Sequence, residues 1–214
     1  MMKFRVQKRV TLLLAVVSLA GALSACAPLM IGGAFVGGMM ASDRRTSGSQ
    51  VEDEGIELRA NNRINENLGE RVHVNVTSYN RQVLLTGEVP SEQDKQRVER
   101  VVAGVENVRS IVNELGVLGS STLTQRASDS LVTGKVKASL LDAKDLFSNA
   151  FKVVTERGTV YVMGRVTARE AKRATDVISA TAGVQKVVRI LEMITEEELA
   201  QFQSPSPVRA SGKP

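Results

Sequence analysis

Two stretches of this chain repeat one another at an offset of 76 to 77 residues, which limits the possible folds more than any other feature. Val83-Leu84-Leu85-Thr86-Gly87-Glu88-Val89 matches Val160-Tyr161-Val162-Met163-Gly164-Arg165-Val166. Upstream, Val74-Asn75-Val76-Thr77 matches Phe151-Lys152-Val153-Val154. Downstream, Val108-Arg109-Ser110-Ile111-Val112-Asn113 matches Val184-Gln185-Lys186-Val187-Val188-Arg189. A duplicated segment of this length folds twice into the same small unit, each with its own core.

Each copy reads helix, strand, strand, helix, strand. Ile56, Ala60, Ile64 and Leu68 recur at helical spacing over 54–69, and Val132, Val136 and Leu140 do so over 128–142. Alternating apolar residues predict hairpins, 72–78 with 82–89 and 149–156 with 159–166. Glu156-Arg157-Gly158-Thr159 suits a tight turn with Gly158 at positive φ, and Asn80 fits the same role in the first copy. Ser91 with Asp94, and more fully Thr167 with Glu170, have capping-box spacing at the start of the second helices. Final strands are expected at 107–117 and 184–194. The fold class is α+β: two helices on one face of a three-stranded mixed sheet, a two-layer unit made twice. The units span 54–118 and 126–194.

Ahead of the repeat, Lys3, Arg5, Lys8 and Arg9 precede an apolar run from Val10 to Leu23, the layout of a secretory signal peptide over residues 1–25. The run closes on Leu23-Ser24-Ala25-Cys26, and Cys26 is the only cysteine. A cysteine behind small residues resembles the lipobox of a bacterial lipoprotein. That resemblance implies cleavage before Cys26, followed by an N-acyl and an S-diacylglycerol group on it. At about 0.8 kcal/mol per buried CH₂, three chains would make attachment nearly irreversible. Ala27 rather than Asp follows the cysteine, which by resemblance to bacterial sorting favours the outer membrane. Residues 26–53 form a glycine-rich linker without charge until Asp43. It lies along the bilayer or serves as a flexible tether, and as a random coil residues 26–55 would span on the order of 30 Å. Residues 195–214 form a tail, with one helical turn near Glu196-Glu197-Glu198 and disorder from Ser204.

The full chain carries a formal +5. Four of its 28 basic residues belong to the signal peptide, so the mature part is close to neutral and nucleic acid is not an expected partner. Acylation of Cys26 leaves no free thiol, and His73 is the one histidine. Metal centres and Ser-His or Cys-His nucleophile pairs draw on clusters of such residues. No catalytic residue, metal site or dissociable cofactor is expected, and the protein reads as non-enzymatic.

The copies differ in charge. Residues 56–118 hold eight basic and nine acidic side chains, whereas residues 126–194 hold twelve and seven. The second copy therefore suits anionic partners. On a helical wheel, Val132, Val136, Ser139 and Leu140 face the sheet, while Leu131 lies off that stripe beside Lys135 and Ala138. Leu141 is also off it, near Lys137. A leucine beside lysines suits a surface that dips into a bilayer or one that packs on a neighbouring segment.

The αββαβ order, the glycine late in the second strand, and Met163-Gly164-Arg165-Val166-Thr167-Ala168-Arg169-Glu170-Ala171-Lys172 resemble the BON domain. Two copies behind a lipobox are similar to the dual BON-domain outer-membrane lipoproteins. The resemblance implies binding of anionic phospholipids, phosphatidylglycerol and cardiolipin, through the first helix of the second domain. Carried onto this chain, the contacts are Ser128, Asp129, Leu131, Val132, Lys135, Lys137 and Ser139. The membrane-facing aromatic of that pattern falls at Leu131, where leucine lacks an amphipathic ring. The resemblance further implies a periplasm-facing protein supporting outer-membrane integrity, with enrichment at division sites. The alternative is an adaptor whose first domain docks on outer-membrane assembly or cell-wall proteins.

Overall fold

The computed structural model describes residues 43–203. The expected signal peptide, Cys26, the expected linker up to residue 42 and the expected tail from 204 lie outside the described residues. The elements are α1 Ser47–Leu68, β1 His73–Tyr79, β2 Gln82–Val89, α2 Glu92–Ala103, β3 Ser110–Asn113, β4 Gly116–Val117, α3 Leu123–Asp142, β5 Phe151–Glu156, β6 Thr159–Val166, α4 Ala168–Ser179, β7 Lys186–Met193 and α5 Glu196–Gln203. The expected αββαβ order thus occurs twice.

In each sheet the second strand is central, antiparallel to the strand before it and parallel to the one that follows the helix. The single strand expected at 107–117 is two short strands, β3 and β4, both on β2 and in the same register. The break lies opposite Gly87, whose φ is +107°. A Cβ at Gly87 would run into the backbone carbonyl of His73, and one at Gly164 into that of Ala150. That close approach explains why both copies carry glycine there.

Helical stripes supply both cores. Ile56, Ala60, Ile64 and Leu68 of α1 pack with Val98 and Val102 of α2 over Val83, Leu85 and Val89. Val132, Val136 and Leu140 of α3 pack with Ala171, Ala174 and Ile178 of α4 over Val160, Val162 and Val166. The opposite faces of the two sheets meet each other. Tyr79 and Leu84 of the first domain cluster with Tyr161, Met163 and Ile190 of the second. The result is four layers, helices outside and two sheets within, rather than two separate two-layer units. β2 and β6 are consequently buried on both faces.

Three expected boundaries change. α1 starts at Ser47, because the Thr46 hydroxyl accepts from the Ser49 amide, so residues 47–53 are helix and not linker. α3 starts at Leu123 behind a full capping box of Thr122 and Gln125, five residues before the apolar stripe suggests. Past Ile194, Thr195 and Glu198 exchange backbone-to-side-chain hydrogen bonds and open α5, which buries Leu199. The single turn expected near Glu196-Glu197-Glu198 is thus a helix that runs to Gln203. Among the described residues no helix is long and apolar enough to cross a membrane.

Candidate functional site

α3 is positioned from its N-terminal half and from beneath. Its inner stripe is buried in the second core, and the Asp129 carboxylate accepts from the amides of Arg157 and Gly158, both at 2.9 Å. Those residues form the β5–β6 turn, with φ of +49° and +71°. The arrangement holds a two-residue turn of primed type, in which both central residues need positive φ. The first domain repeats it. Asp53 of α1 accepts from the amides of Asn80 and Arg81 and from the Ser78 hydroxyl, each at 2.7 Å. Burial alone would raise the Asp53 pKa, but these donors and Arg45 hold it below the usual aspartate range. The pair Asp53 and Asp129 sits at the repeat offset, a correspondence that apolar periodicity does not reveal.

This geometry divides the seven expected lipid contacts. Asp129 and Val132 are buried in structural roles, the turn latch and the core. Ser139 is half-buried, its hydroxyl receiving a hydrogen bond from Thr181 at 3.2 Å. Ser128, Leu131, Lys135 and Lys137 are exposed. These four lie along one outward surface, with Leu131 at its centre.

That surface is wider than the sequence reading. At about 100° per residue, Leu123, Ala127, Leu131, Gly134, Ala138 and Leu141 fall within an arc of about 80°. All six are exposed, Leu123 at 82 %, Leu131 at 68 % and Leu141 at 70 %. Lys135 flanks the strip on one side and Lys137 on the other, each about 40° beyond its edge. Among the described residues neither lysine has an ion pair. A Cβ at Gly134 would meet nothing within 4 Å, so no packing demand accounts for glycine there. α3 thus has two apolar faces, one in the core and one facing outward between lysines. The signal for the second face was present in Leu123, Ala127, Gly134, Ala138 and Leu141, but small residues carry little weight in a hydrophobic stripe.

α1, the same element of the first domain, presents a different exterior. Val51 and Leu58 are exposed at 70 % and 63 %, followed by Asn62 and Glu66, with Glu54 beside them. No lysine lies on that helix.

The segment before α1 joins the two domains. Arg44 makes a buried, two-pronged ion pair with Glu170 at 2.7 and 2.8 Å and donates to the Arg165 carbonyl at 2.7 Å. Burial alone would raise the Glu170 pKa, yet Arg44 and the Thr167 amide hold it below the usual range. Arg45 turns the other way, pairing with Asp53 at 2.8 Å and lying 4.4 Å above the Tyr79 ring. Asp43–Thr46 is therefore a strap across both domains.

The BON domain family profile matches residues 52–119 and 128–194. The outer membrane lipoprotein DolP of Haemophilus influenzae is 33% identical over 174 residues, covering 80% of this chain and 90% of that protein. A 21 kDa hemolysin of Actinobacillus pleuropneumoniae is 31% identical over 154 residues, covering 71% and 79%. The osmotically-inducible protein Y of Escherichia coli is 30% identical over 117 residues, covering 53% and 58%. The chain belongs to the BON-domain family, as a DolP-like protein with two tandem BON domains.

Proposed function

We propose that this protein is a non-enzymatic outer-membrane lipoprotein, acylated at Cys26, whose second BON domain binds anionic phospholipid through the outer surface of α3. The observation that carries the reading is the exposed strip of Leu123, Leu131 and Leu141 between Lys135 and Lys137. Fully burying a leucine side chain yields roughly 1.5–3 kcal/mol, and each lysine near an anionic surface adds about 1 kcal/mol. Such a contact is reversible, in contrast to the acyl anchor. Leu131, Ser128, Lys135 and Lys137 touch lipid, whereas Asp129, Val132 and Ser139 hold the helix in place. The similarity to DolP supports the outer membrane as the location. Supporting membrane integrity, with enrichment at division sites, is the role this reading assigns. Phosphatidylglycerol and cardiolipin are the lipids it names.

Titration of vesicles with a chain beginning at Asp43 tests it. Binding to phosphatidylglycerol vesicles is expected to exceed binding to neutral ones, and to fall at high salt. Leu131→Glu and Lys135→Glu should each weaken it. Equal binding to neutral vesicles, or indifference to both substitutions, overturns the reading. The adaptor reading rests on Val51 and Leu58, exposed on α1 without lysines. Cellular cross-links that persist after charge reversal on α3 would support it.

A further inference from the structure

His73, Glu88 and Glu156 meet where the domains join. One imidazole nitrogen and one carboxylate oxygen from each glutamate lie within 4.8 Å of one another. His73 and Glu88 are paired across β1 and β2 of the first domain. Glu156 ends β5 of the second. Sequence reading discounts the lone histidine because it has no second histidine or thiol. The fold instead brings two carboxylates to it, one of them from the other repeat.

The surroundings fit a cation. The buried Glu88 carboxylate accepts from His73 Nδ1 at 2.8 Å, the Ser121 amide at 3.1 Å and Arg157 Nε at 2.7 Å. Glu156 has Asn75 Nδ2 as its hydrogen-bond donor, at 3.0 Å. The two carboxylates thus lie close together, while Arg157 donates to the other Glu88 oxygen, Oε1, and to the Gly119 carbonyl at 2.9 Å. A metal ion would take the place of the His73 donor. The Ser121 and Arg157 hydrogen bonds would then remain to orient Glu88, the role outer groups have at metal sites. A cavity of about 340 Å³ lined by His73, Asn75, Arg126, Thr133 and Glu156 reaches two of the three ligands, His73 and Glu156. It gives an entry path and room for water in the remaining coordination positions.

We propose that His73, Glu88 and Glu156 form an interdomain site for a borderline-soft divalent metal ion of the zinc type. An imidazole with two carboxylates suits zinc better than magnesium or calcium, which take oxygen ligands. Zinc–ligand bonds of about 2.1 Å set tetrahedral donors about 3.4 Å apart, so the 2.8 Å His73–Glu88 pair must open by about 0.6 Å and the widest separation, up to 4.8 Å, must close by as much as about 1.4 Å. Glu156, half-buried at a strand end, is the side chain free to do so. Since the ligands come from both domains, the bound ion would clasp them together and stabilise the folded chain by mass action.

Calorimetric titration of the metal-stripped, full-length protein in detergent with Zn²⁺ tests the site, alongside thermal unfolding. One equivalent of saturable binding and a raised Tm are expected. A parallel Co²⁺ titration should give the absorption bands of a low-coordinate site. His73→Ala and Glu156→Gln should each weaken Zn²⁺ binding by at least about tenfold, since outer-group changes alone cost that much. Glu156→Gln can keep its hydrogen bond to Asn75, so it separates ligand loss from misfolding. Absence of saturable binding, unchanged affinity in both variants, or a matching response to Mg²⁺ overturns the proposal.

Discussion

The two BON domains share a backbone plan and a latch but differ on the outside. In each, an aspartate on the first helix holds a hairpin turn whose two central residues are at positive φ. In each, a glycine on the central strand admits a backbone carbonyl from the start of the preceding hairpin arm, His73 at the head of β1 and Ala150 just ahead of β5. The outer faces of the first helices diverge: α1 pairs two exposed apolar residues with Asn62, Glu54 and Glu66, while α3 carries a full-length apolar strip between lysines. Duplication preserved what the fold requires and let the exposed face vary. The proposed membrane contact rests on this difference.

The strap offers the largest effect. Arg44→Ala leaves Glu170 buried without its cation, and breaking a buried pair costs about 3–5 kcal/mol. Arg45→Ala leaves Asp53 with its Ser78, Asn80 and Arg81 donors, so about 1–2 kcal/mol is expected. Urea unfolding of the two variants measures both. Equal losses would mean that the strap does not distinguish the domains.

The latches come next. Asp53 accepts from four groups and Asp129 from two amides. With hydrogen bonds to charged groups at about 1.5–3 kcal/mol each and far from additive, Asp53→Ala should lower stability more than Asp129→Ala. Hydrogen exchange should show the turn amides of the affected domain losing protection first. A larger loss for Asp129→Ala would break the equivalence drawn between the copies.

A pH series sharpens the comparison at smaller amplitude. Asp53, Glu88 and Glu170 have folded pKa values held below their unfolded ones. Each contributes stability above about pH 4, and that contribution is lost as pH falls through the folded pKa. Glu156 has the opposite sign, since burial and the nearby Glu88 raise its pKa. Its contribution is present in acid and lost as pH rises. Glu156→Gln should therefore stabilise the metal-free protein at neutral pH, while the urea midpoint of the parent falls below about pH 4.

Much of this was legible in the sequence. Repeat, hairpins, second helices and inner stripes all follow from apolar periodicity, and β6 matches its expected bounds. The four-layer packing was not. Leu84, Tyr161 and Met163 point away from the helices, but an apolar residue on the second face of a strand does not say what covers it. The start of α1 was missed because Ser47–Glu54 is polar apart from Val51, and α5 was expected as a single turn because it buries one leucine. At the candidate site, Leu131 and the lysines were found from their place on the wheel. Asp129 and Val132 came in with them because a resemblance names a helix, and a helix has an inner face too.

Under the proposed function, the outer strip of α3 contacts lipid and the matching face of α1 does not. Flotation with phosphatidylglycerol vesicles of a chain beginning at Asp43 tests it, comparing serine at Leu123, Leu131 and Leu141 with serine at Val51 and Leu58. The α3 variant should stay unbound while the α1 variant floats like the parent. Flotation of the α3 variant at the parent level, or loss in the α1 variant alone, would contradict the account.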